Sequence, residues 1–197
     1  MENTGNKQPK RKKKLIYNWI VGVLFVLFVV VLLLIVRKNV ISYQNEQELE
    51  KVIEQIKQEK QAEEIRYKGY KVVGTIRIPK IQLEYPILEK TTQESMKYAV
   101  TKFWGTEITD IGNYTIAGHN NHNGTMFGKV KTLQNGDEIQ LTDTKGNRVI
   151  YQVVNQYSTG PNDVTCVESI HSGKRELTLI TCTNGNKQRL ITRAEEK

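Results

Sequence analysis

The pattern of apolar and polar positions divides the chain into three parts. Residues 15–36 form an unbroken run of uncharged, mostly apolar residues. Residues 43–67 contain neither Gly nor Pro, and apolar residues recur there at helical spacing, at Leu49, Val52, Ile53 and Ile56. From Tyr70 onward, short β-rich runs alternate with turn residues. The pattern therefore predicts an apolar helix, a polar helix and a mainly β domain, in that order.

The apolar run has the length of a membrane-spanning helix. Its 22 residues would span roughly 33 Å as a helix, about the thickness of the hydrocarbon core of a bilayer. A cleaved signal peptide has a shorter apolar region, of about 7–15 residues, followed by a small-residue cleavage site. This run is followed by Arg37, Lys38 and Asn39, so we predict an uncleaved signal anchor over residues 15–36.

Charge is distributed unevenly around the predicted anchor. Six Lys or Arg residues lie in residues 1–14, and two follow the anchor closely. By the positive-inside rule, residues 1–14 form a cytoplasmic tail, and the chain after this single span lies outside the cell membrane. Eight of the 29 Lys and Arg and one of the 21 Asp and Glu lie in residues 1–38, so residues 39–197 carry a net charge of only +1. A nucleic-acid-binding body is therefore disfavoured.

The polar helix is predicted to act as a spacer. Its apolar stripe is thin and stops after about two turns. We therefore interpret residues 37–69 as a solvated helical stalk, with a coiled-coil dimerisation helix as the alternative. Residues 70–197 are left as the functional domain.

The β-rich part is predicted to contain about eight short strands. Those that the pattern identifies are residues 72–78, 85–88, 113–117, 137–142, 148–157, 177–182 and 189–192. Residues 92–100 begin with helix-capping residues and are predicted to be helical, and one helical turn is expected in residues 125–133. Pro86 suggests that its strand lies at a sheet edge. The pattern favours a mainly β fold, a closed or nearly closed eight-stranded β-barrel with short helices.

Two cysteines are candidates for chemistry. Cys182 ends a predicted strand and precedes a turn, so its thiol is expected at the barrel rim, where a substrate can reach it. Cys166 lies in a predicted loop that leads into a strand. An alternative for a protein outside the cell is a disulfide between Cys166 and Cys182.

Histidine is the second candidate. His119 follows a predicted strand and a glycine, a position that presents a side chain at the barrel rim. His119 and His122 have a spacing that some metal sites use, but the residues around them predict a loop, and no further ligand cluster accompanies them. We therefore predict no metal site, and we expect His122 and His171 to be solvated loop residues.

Arg189 is the third candidate because of its place relative to Cys182. Six residues separate the two, and a hairpin centred on Asn184 and Gly185 puts them nearly opposite each other. Opposed residues in an antiparallel pair point to the same face, so a guanidinium would stand beside the thiol. The alternative is a surface arginine on an edge strand. Arg193, four residues further along, is expected to tolerate substitution by lysine and to serve as a control.

A cysteine, a histidine and an arginine at three strand ends suit thiol acyl transfer. A thiolate at Cys182 would attack a carbonyl carbon, and His119 would protonate the leaving amine. Arg189 would bind the substrate and stabilise the oxyanion. The sequence leaves open whether His119 reaches Cys182, which lies 63 residues further along the chain.

Three segments resemble the signature segments of the sortases, the membrane-anchored cysteine transpeptidases of Gram-positive bacteria. They are residues 116–120 (IAGHN), 177–182 (LTLITC) and 189–191 (RLI). The resemblance covers roughly residues 72–194, in the order that the family has, and includes residues 76–80 (IRIPK) and 124–128 (GTMFG).

The resemblance implies an eight-stranded barrel in which His119, Cys182 and Arg189 are catalytic. It implies cleavage of an LPxTG-like sorting signal after its threonine, through a thioacyl-enzyme intermediate, and transfer of the protein to a cell-wall amine. The partners would be surface proteins that carry the signal, and peptidoglycan or its precursor as the acceptor. Thr181 is expected to contact the substrate. The disulfide at Cys182 then becomes the weaker alternative.

Within the family, the sequence is similar to class A or class D. One N-terminal anchor and the lack of an aspartate-aromatic lid motif argue against the pilus-building class, and residues 163–175 are too short for the long helix of class B. No cofactor is predicted: some class A members bind calcium, but no matching acidic cluster is found. Two other functions stay open: an extracytoplasmic cysteine peptidase that acts as a hydrolase, and a membrane-tethered adhesion or scaffold domain without catalysis.

Overall fold

The computed structural model describes the backbone of residues 9–58 and 64–197, and the side chains of residues 18–56 and 64–197. The first eight residues of the predicted cytoplasmic tail and residues 59–63 of the predicted stalk lie outside the described residues. The chain divides into two compact units, Met1–Gln47 and Glu48–Lys197. The division falls inside the predicted stalk, 22 residues before the start predicted for the functional domain.

A single long helix, α1, runs over Pro9–Gln58. By length and composition, its stretch Asn18–Ile56 could cross a membrane. Every side chain from residue 18 to residue 47 is exposed, as expected for a helix whose apolar surface meets lipid. The predicted apolar helix is therefore present.

From Glu48 onward, α1 belongs to the second unit, and here the prediction of a solvated stalk is wrong. Val52, Ile53 and Ile56 are buried. Val52 and Ile56 form a small apolar cluster with five residues of the domain, namely Ile65, Tyr67, Val72, Leu88 and Ala99. The predicted helix also does not reach Tyr67, because Arg66–Tyr67 form the short strand β1.

The second unit is a closed barrel of eight strands, as predicted. The strands are β2 (Tyr70–Ile78), β3 (Leu83–Leu88), β4 (Val100–Trp104), β5 (Gly112–Ala117), β6 (Glu138–Asp143), β7 (Arg148–Thr159), β8 (Arg175–Thr183) and β9 (Gln188–Glu196). Their order is β2-β3-β4-β5-β8-β9-β7-β6, and pairing of β2 with β6 closes the barrel. The pairs β3–β4 and β5–β8 are parallel, and the others are antiparallel. β1 pairs only with the start of β2.

Within residues 64–197, four short 3-10 helices accompany the strands: Pro79–Ile81, Ser95–Lys97, Val130–Thr132 and Thr165–Val167. The helix predicted at residues 92–100 is reduced to the second of these. Thr92 and Ser95 exchange backbone-to-hydroxyl hydrogen bonds of 3.0 Å in both directions, as in the capping box that opens a helix, but the chain leaves the helical path after one turn. Val100 then enters β4 opposite Ile87 and is fully buried.

Pro86 does not mark an edge strand, contrary to the prediction. β3 has a neighbour on each side, but its pairing with β4 covers only Ile87 and Leu88. Pro86 itself pairs only with Thr75 of β2. Pro86 therefore lies in the part of β3 that β4 does not pair with, where a missing N–H donor is tolerated.

Alternation along β8 separates the barrel interior from the face that carries the candidate site. Leu177 and Leu179 are buried in the main core. Residues 176, 178, 180 and 182 point to the opposite, outer face, since side chains alternate along a strand. In β9, the partner of Cys182 lies on that same face.

Candidate active site

Cys182 and Arg189 are direct partners across the β8–β9 hairpin, as the sequence predicts. The turn between them has left-handed backbone at Asn184, Gly185 and Asn186, with φ of 49°, 60° and 71°. Glycine and asparagine are the residues that adopt this conformation most readily. The turn chemistry thus fixes the register that puts Arg189 directly opposite Cys182.

The parallel pairing of β5 with β8 brings His119 level with Cys182 along the strands. Ala117 is paired with Ile180, and the Gly118 amide continues the ladder by donating to the Ile180 carbonyl at 3.1 Å. Two residues beyond each member of that pair lie His119 and Cys182. His119, Cys182 and Arg189 therefore form one row across three neighbouring strand ends. Sequence separation alone gave no reason for His119 to join the other two.

Asn120 holds this row together, and the sequence analysis missed it. Its Nδ2 donates to the Cys182 carbonyl at 2.8 Å, so a side chain continues the β5–β8 pairing where β5 has ended. The backbone just before Asn120 is held as well, because the Phe127 amide donates to the His119 carbonyl at 3.0 Å. Asn120 lies in the segment 116–120 that resembles the family signature, but no feature of the sequence indicates its contact with Cys182.

Gly118 is required by close packing. A Cβ atom at this position would lie 2.8 Å from the Phe127 ring and 3.0 Å from Val100, closer than van der Waals contact allows. The residue before His119 must therefore be glycine for the His119 segment to lie against the barrel.

The Thr181 hydroxyl makes a contact within the fold. The residue is 3% exposed, and its hydroxyl donates to the Gly118 carbonyl at 2.7 Å. Thr181 therefore ties β8 to the backbone that precedes His119. The contact of Thr181 with substrate stays a prediction.

Arg189 is half-buried, and only part of its hydrogen-bond donors are used within the described fold. Its Nη1 donates to the carbonyls of Asn186 and Gln188, both at 3.2 Å. Within the described part of the chain, Nε and Nη2 of Arg189 make no hydrogen bond. These donors are free to bind an oxygen of a ligand beside Cys182.

Both cysteines are free thiols, and they differ in surroundings. Cys182 is half-buried, whereas Cys166 is 2% exposed. Burial, together with the charge of Asp163, raises the pKa of the Cys166 thiol despite the opposing effect of Arg193. Cys166 is therefore a neutral thiol in the interior, and the alternative of a disulfide is not realised.

Arg193, which was expected to tolerate substitution by lysine, is a buried residue. It is 4% exposed, and its Nη2 forms an ion pair with Glu176 at 2.9 Å. It lies opposite Thr178, four residues from Arg189 on the same face of β9. It is therefore unsuitable as a neutral control for Arg189.

The row extends to a fourth strand, β7, where Thr159 lies opposite Arg189. The Thr159 hydroxyl donates to the Asp163 carboxylate. This bond, with those from the hydroxyl and amide of Thr165, lowers the pKa of Asp163 from 3.8 to about 2. The start of the β7–β8 connection is thus fixed by an ionised carboxylate.

Two clefts, of about 290 and 720 Å³, share Trp104 in their walls. Trp104 lies opposite Thr115, toward the start of β5 and away from His119. These clefts are therefore separate from the row. Among the side chains of residues 18–56 and 64–197, no group of three His, Cys, Asp or Glu is arranged to hold a metal ion.

Comparison with known proteins identifies relatives over the barrel. A family model described as a sortase domain matches residues 76–197. Sortase A of Bacillus anthracis is 34% identical over 114 residues, which are 57% of this chain and 53% of that protein. Sortase D of Bacillus subtilis is 29% identical over 110 residues, 55% of this chain and 53% of that protein. The chain thus spans about half the length of the curated relatives that it matches.

Solved structures show the same barrel. A Clostridium perfringens Sortase D5 transpeptidase has 26% identity and a TM-score of 0.62, over 78% of this chain and 98% of that one. Sortase A of Listeria monocytogenes, at 24% identity and a TM-score of 0.58, covers 64% of this chain and 87% of its own.

Proposed function

The chain belongs to the sortase family, and from this membership we propose that it is a membrane-anchored cysteine transpeptidase. It cleaves an LPxTG-like sorting signal after the threonine and transfers the acyl group to a cell-wall amine. The single observation that carries this proposal is the row of His119, Cys182 and Arg189 at three neighbouring strand ends.

In the proposed reaction the Cys182 sulfur attacks the threonine carbonyl carbon. Arg189 donates from its uncommitted nitrogens to the oxyanion that forms, and such donors act most strongly on charge that develops in the transition state. The C–N bond to the next residue breaks, and His119 supplies the proton that the leaving amine takes. A thioacyl bond now joins the substrate to Cys182.

The second half of the reaction resolves this intermediate. An acceptor amine attacks the thioacyl carbonyl and loses its proton to His119, and the C–S bond breaks to form the new amide and release Cys182. The steps use three side chains and no cofactor. We therefore expect chelators of divalent cations to leave the rate unchanged.

Substrate, acceptor and location complete the proposal. The donors are surface proteins that carry the sorting signal, and the acceptor is an amine of peptidoglycan or its precursor. Residues 15–36 anchor the protein in the cell membrane, with residues 1–14 inside and the barrel outside. Protease added to wall-stripped cells should then remove the barrel, and protection of the barrel would reverse this topology.

The relatives named Sortase A and Sortase D, together with the lack of a long helix in the described residues between β7 and β8, favour class A or class D. A class assignment predicts the sorting motif only broadly, so the test should scan the motif. A peptide library that varies each position of LPxTG serves this purpose.

The test incubates the full chain in detergent micelles with that library, with and without a primary amine such as triglycine, and identifies products by mass spectrometry. The expected product in the presence of triglycine is a peptide joined through its threonine to the amine. Release of free carboxylate at the same rate with and without triglycine would identify a hydrolase. No cleavage, together with a Cys182 that does not react with iodoacetamide, would support a non-catalytic scaffold.

A further inference from the structure

Three asparagines of the chain are followed directly by glycine: Asn123, Asn135 and Asn184. In such a pair the backbone nitrogen of the glycine can attack the side-chain carbonyl carbon of the asparagine, because a glycine without a Cβ atom leaves this approach open. The reaction is deamidation, and it needs no enzyme. All three asparagines are exposed, so exposure alone does not distinguish them.

The glycine amides of the first two pairs are used within the fold. The Gly124 amide donates to the Asn121 carbonyl at 2.9 Å, and the Gly136 amide donates to the Val153 carbonyl at 2.7 Å. An amide that donates a hydrogen bond must lose that bond before its nitrogen can attack. Deamidation at these two pairs therefore requires a local opening of the chain first.

The third pair lies in the turn of the β8–β9 hairpin, and its glycine amide is not used. Within the part of the chain that the structure describes, the Gly185 amide makes no hydrogen bond. Asn184 Nδ2 lies 3.4 Å from Gln188 Oε1, which is long for a hydrogen bond. Asn123 Oδ1, by contrast, accepts from the amide and the hydroxyl of Thr125 at 3.2 and 2.7 Å. Among the three pairs, the third alone combines an exposed asparagine with an unbonded glycine amide.

Deamidation would change the covalent structure of this turn in two steps. The Gly185 nitrogen attacks Asn184 Cγ, the new N–C bond forms, the Cγ–Nδ2 bond breaks, and ammonia leaves with the proton of the Gly185 amide. Water then opens the cyclic imide. Cleavage at Cγ gives aspartate, and cleavage at the backbone carbonyl carbon gives isoaspartate, in which the chain runs through Cβ and Cγ. The net reaction consumes water and releases ammonia, and no atom is oxidised or reduced.

Both products alter the hairpin that carries the candidate site. The turn places Cys182 directly opposite Arg189, and it is closed by the Lys187 amide, which donates to the Asn184 carbonyl at 3.2 Å. Isoaspartate lengthens the backbone by an atom inside this closed turn. Aspartate and isoaspartate both add a negative charge at the second residue after Cys182.

We propose that Asn184 is a site of spontaneous deamidation whose modification lowers the activity at Cys182. The effect on activity rests on the proposed function, whereas the site rests on the contacts of the three glycine amides. The longer backbone disturbs the pairing of Cys182 with Arg189. The new carboxylate disfavours a second negative charge on the Cys182 sulfur and offers the free nitrogens of Arg189 a charged partner. The activity of each molecule therefore falls as the molecule ages.

The test incubates the full chain in detergent micelles, in heavy-oxygen water at mildly alkaline pH, with a reductant that keeps both cysteines as thiols. The chain is then digested in ordinary water, and mass spectrometry identifies each new aspartate or isoaspartate by the heavy oxygen that it has taken from the solvent. We expect Asn184 to be modified at least about fivefold faster than Asn123 or Asn135. The rate should rise with pH, because the attacking nitrogen must lose its proton.

Two variants connect the modification with activity. Asn184→Gly cannot be modified, and glycine adopts the left-handed backbone of this position, with φ of 49°, at no steric cost. Asn135→Ala is the matched control, because it removes one of the other pairs. Each chain is compared with its own activity before incubation. Wild type and Asn135→Ala should lose kcat/KM in step with modification of Asn184, to about one fifth or less when modification is complete. Asn184→Gly should keep its starting value.

Faster modification at Asn123 or Asn135 would overturn the assignment of the site. Modification of Asn184 with an unchanged kcat/KM would overturn its effect on Cys182. An equal loss of activity in Asn184→Gly would also overturn the proposal, because another change in the protein would then cause the loss.

A wild-type chain that cleaves no library peptide would refute the proposed function alone. The peptide masses would still decide the site, and alkylation of Cys182 by iodoacetamide would decide the effect on the thiol. We expect alkylation to slow at least about twofold in the modified chain, and an unchanged rate would overturn the proposal in that case.

Discussion

Arg189 and Arg193 lie four residues apart on the same face of β9, opposite Cys182 and Thr178, and their surroundings are opposite in kind. Arg193 is buried, and both of its terminal nitrogens bind the fold, including a carboxylate. Arg189 is half-buried and binds only two carbonyls of its own hairpin through one nitrogen.

The difference shows how an arginine's donors indicate its role. An arginine whose donors are used within the fold holds structure, and one whose donors are unused beside a reactive group can bind a ligand. The cysteines repeat the contrast, because Cys166 lies buried under the Arg193 end and Cys182 lies at the Arg189 end. We call the end of this face with Arg189 and Cys182 the open end, and the end with Arg193 and Cys166 the closed end. The open end is expected to control activity, and the closed end the stability of the fold.

The largest expected effect separates the two cysteines. Cys182→Ala should abolish the proposed peptide cleavage, because no other described thiol lies in the row of His119, Cys182 and Arg189. Cys166→Ser should keep most of the activity, since its thiol is neutral and buried. Product formation by mass spectrometry measures both, and loss of activity in both variants would instead indicate a shared redox or disulfide role.

The next effect concerns stability at the closed end. Arg193→Met alone leaves Glu176 buried without its partner and should lower the free energy of unfolding by about 3–5 kcal/mol. The double variant with Glu176→Leu should recover much of this loss. Thermal unfolding followed by circular dichroism measures the difference. A single variant as stable as the wild type would mean that the ion pair is not formed.

A smaller effect is expected at Asn120, which belongs to the open end. Asn120→Ala removes the bond to the Cys182 carbonyl, and a misplacement of His119 by about 1 Å can lower a rate about 10²-fold. We expect kcat to fall at least about tenfold, while unfolding changes by only about 1 kcal/mol. Asn135→Ala, at an exposed loop position, is the matched control, and equal rates for the two variants would remove Asn120 from the account.

The smallest effect is a pH dependence at the start of the connection. The pKa of Asp163 is lowered to about 2 in the folded chain from 3.8, so its contribution to stability is present above pH 3.8 and is lost as the pH falls toward 2. Asp163→Asn should therefore lower the unfolding temperature at neutral pH, and the difference from wild type should shrink below about pH 4. A difference that stays constant down to pH 2 would assign the effect to something other than the carboxylate.

The sequence predicts the open end better than the closed end, for a physical reason. The opposition of Cys182 and Arg189 follows from local hairpin geometry, and the strand count predicts the barrel. The burial of Arg193 depends on a connection without periodic pattern that folds back over the sheet. No local feature of β9 distinguishes Arg193 from a solvated arginine.

The same limit explains the stalk. The stripe at Val52 and Ile56 is thin because its partners, among them Val72 and Leu88, come from distant strands. The stripe therefore buries the helix only against the folded unit. The helix sequence shows one side of this contact, and the other side comes from the strands. Asn120 was missed for a similar reason, because its partner lies 62 residues away.

The most direct test of the central claim is a comparison of Arg189→Lys with Arg193→Lys, measured for both kcat and unfolding temperature. Lysine keeps the charge and loses the planar fork of donors. Arg189→Lys should lower kcat/KM at least about tenfold, mainly through kcat, with the unfolding temperature unchanged. Arg193→Lys should lower the unfolding temperature and leave kcat within about twofold, and the exposed Arg148→Lys should do neither. Equal effects at both positions, or loss of kcat at Arg193 alone, would contradict the assignment of catalysis to the open end.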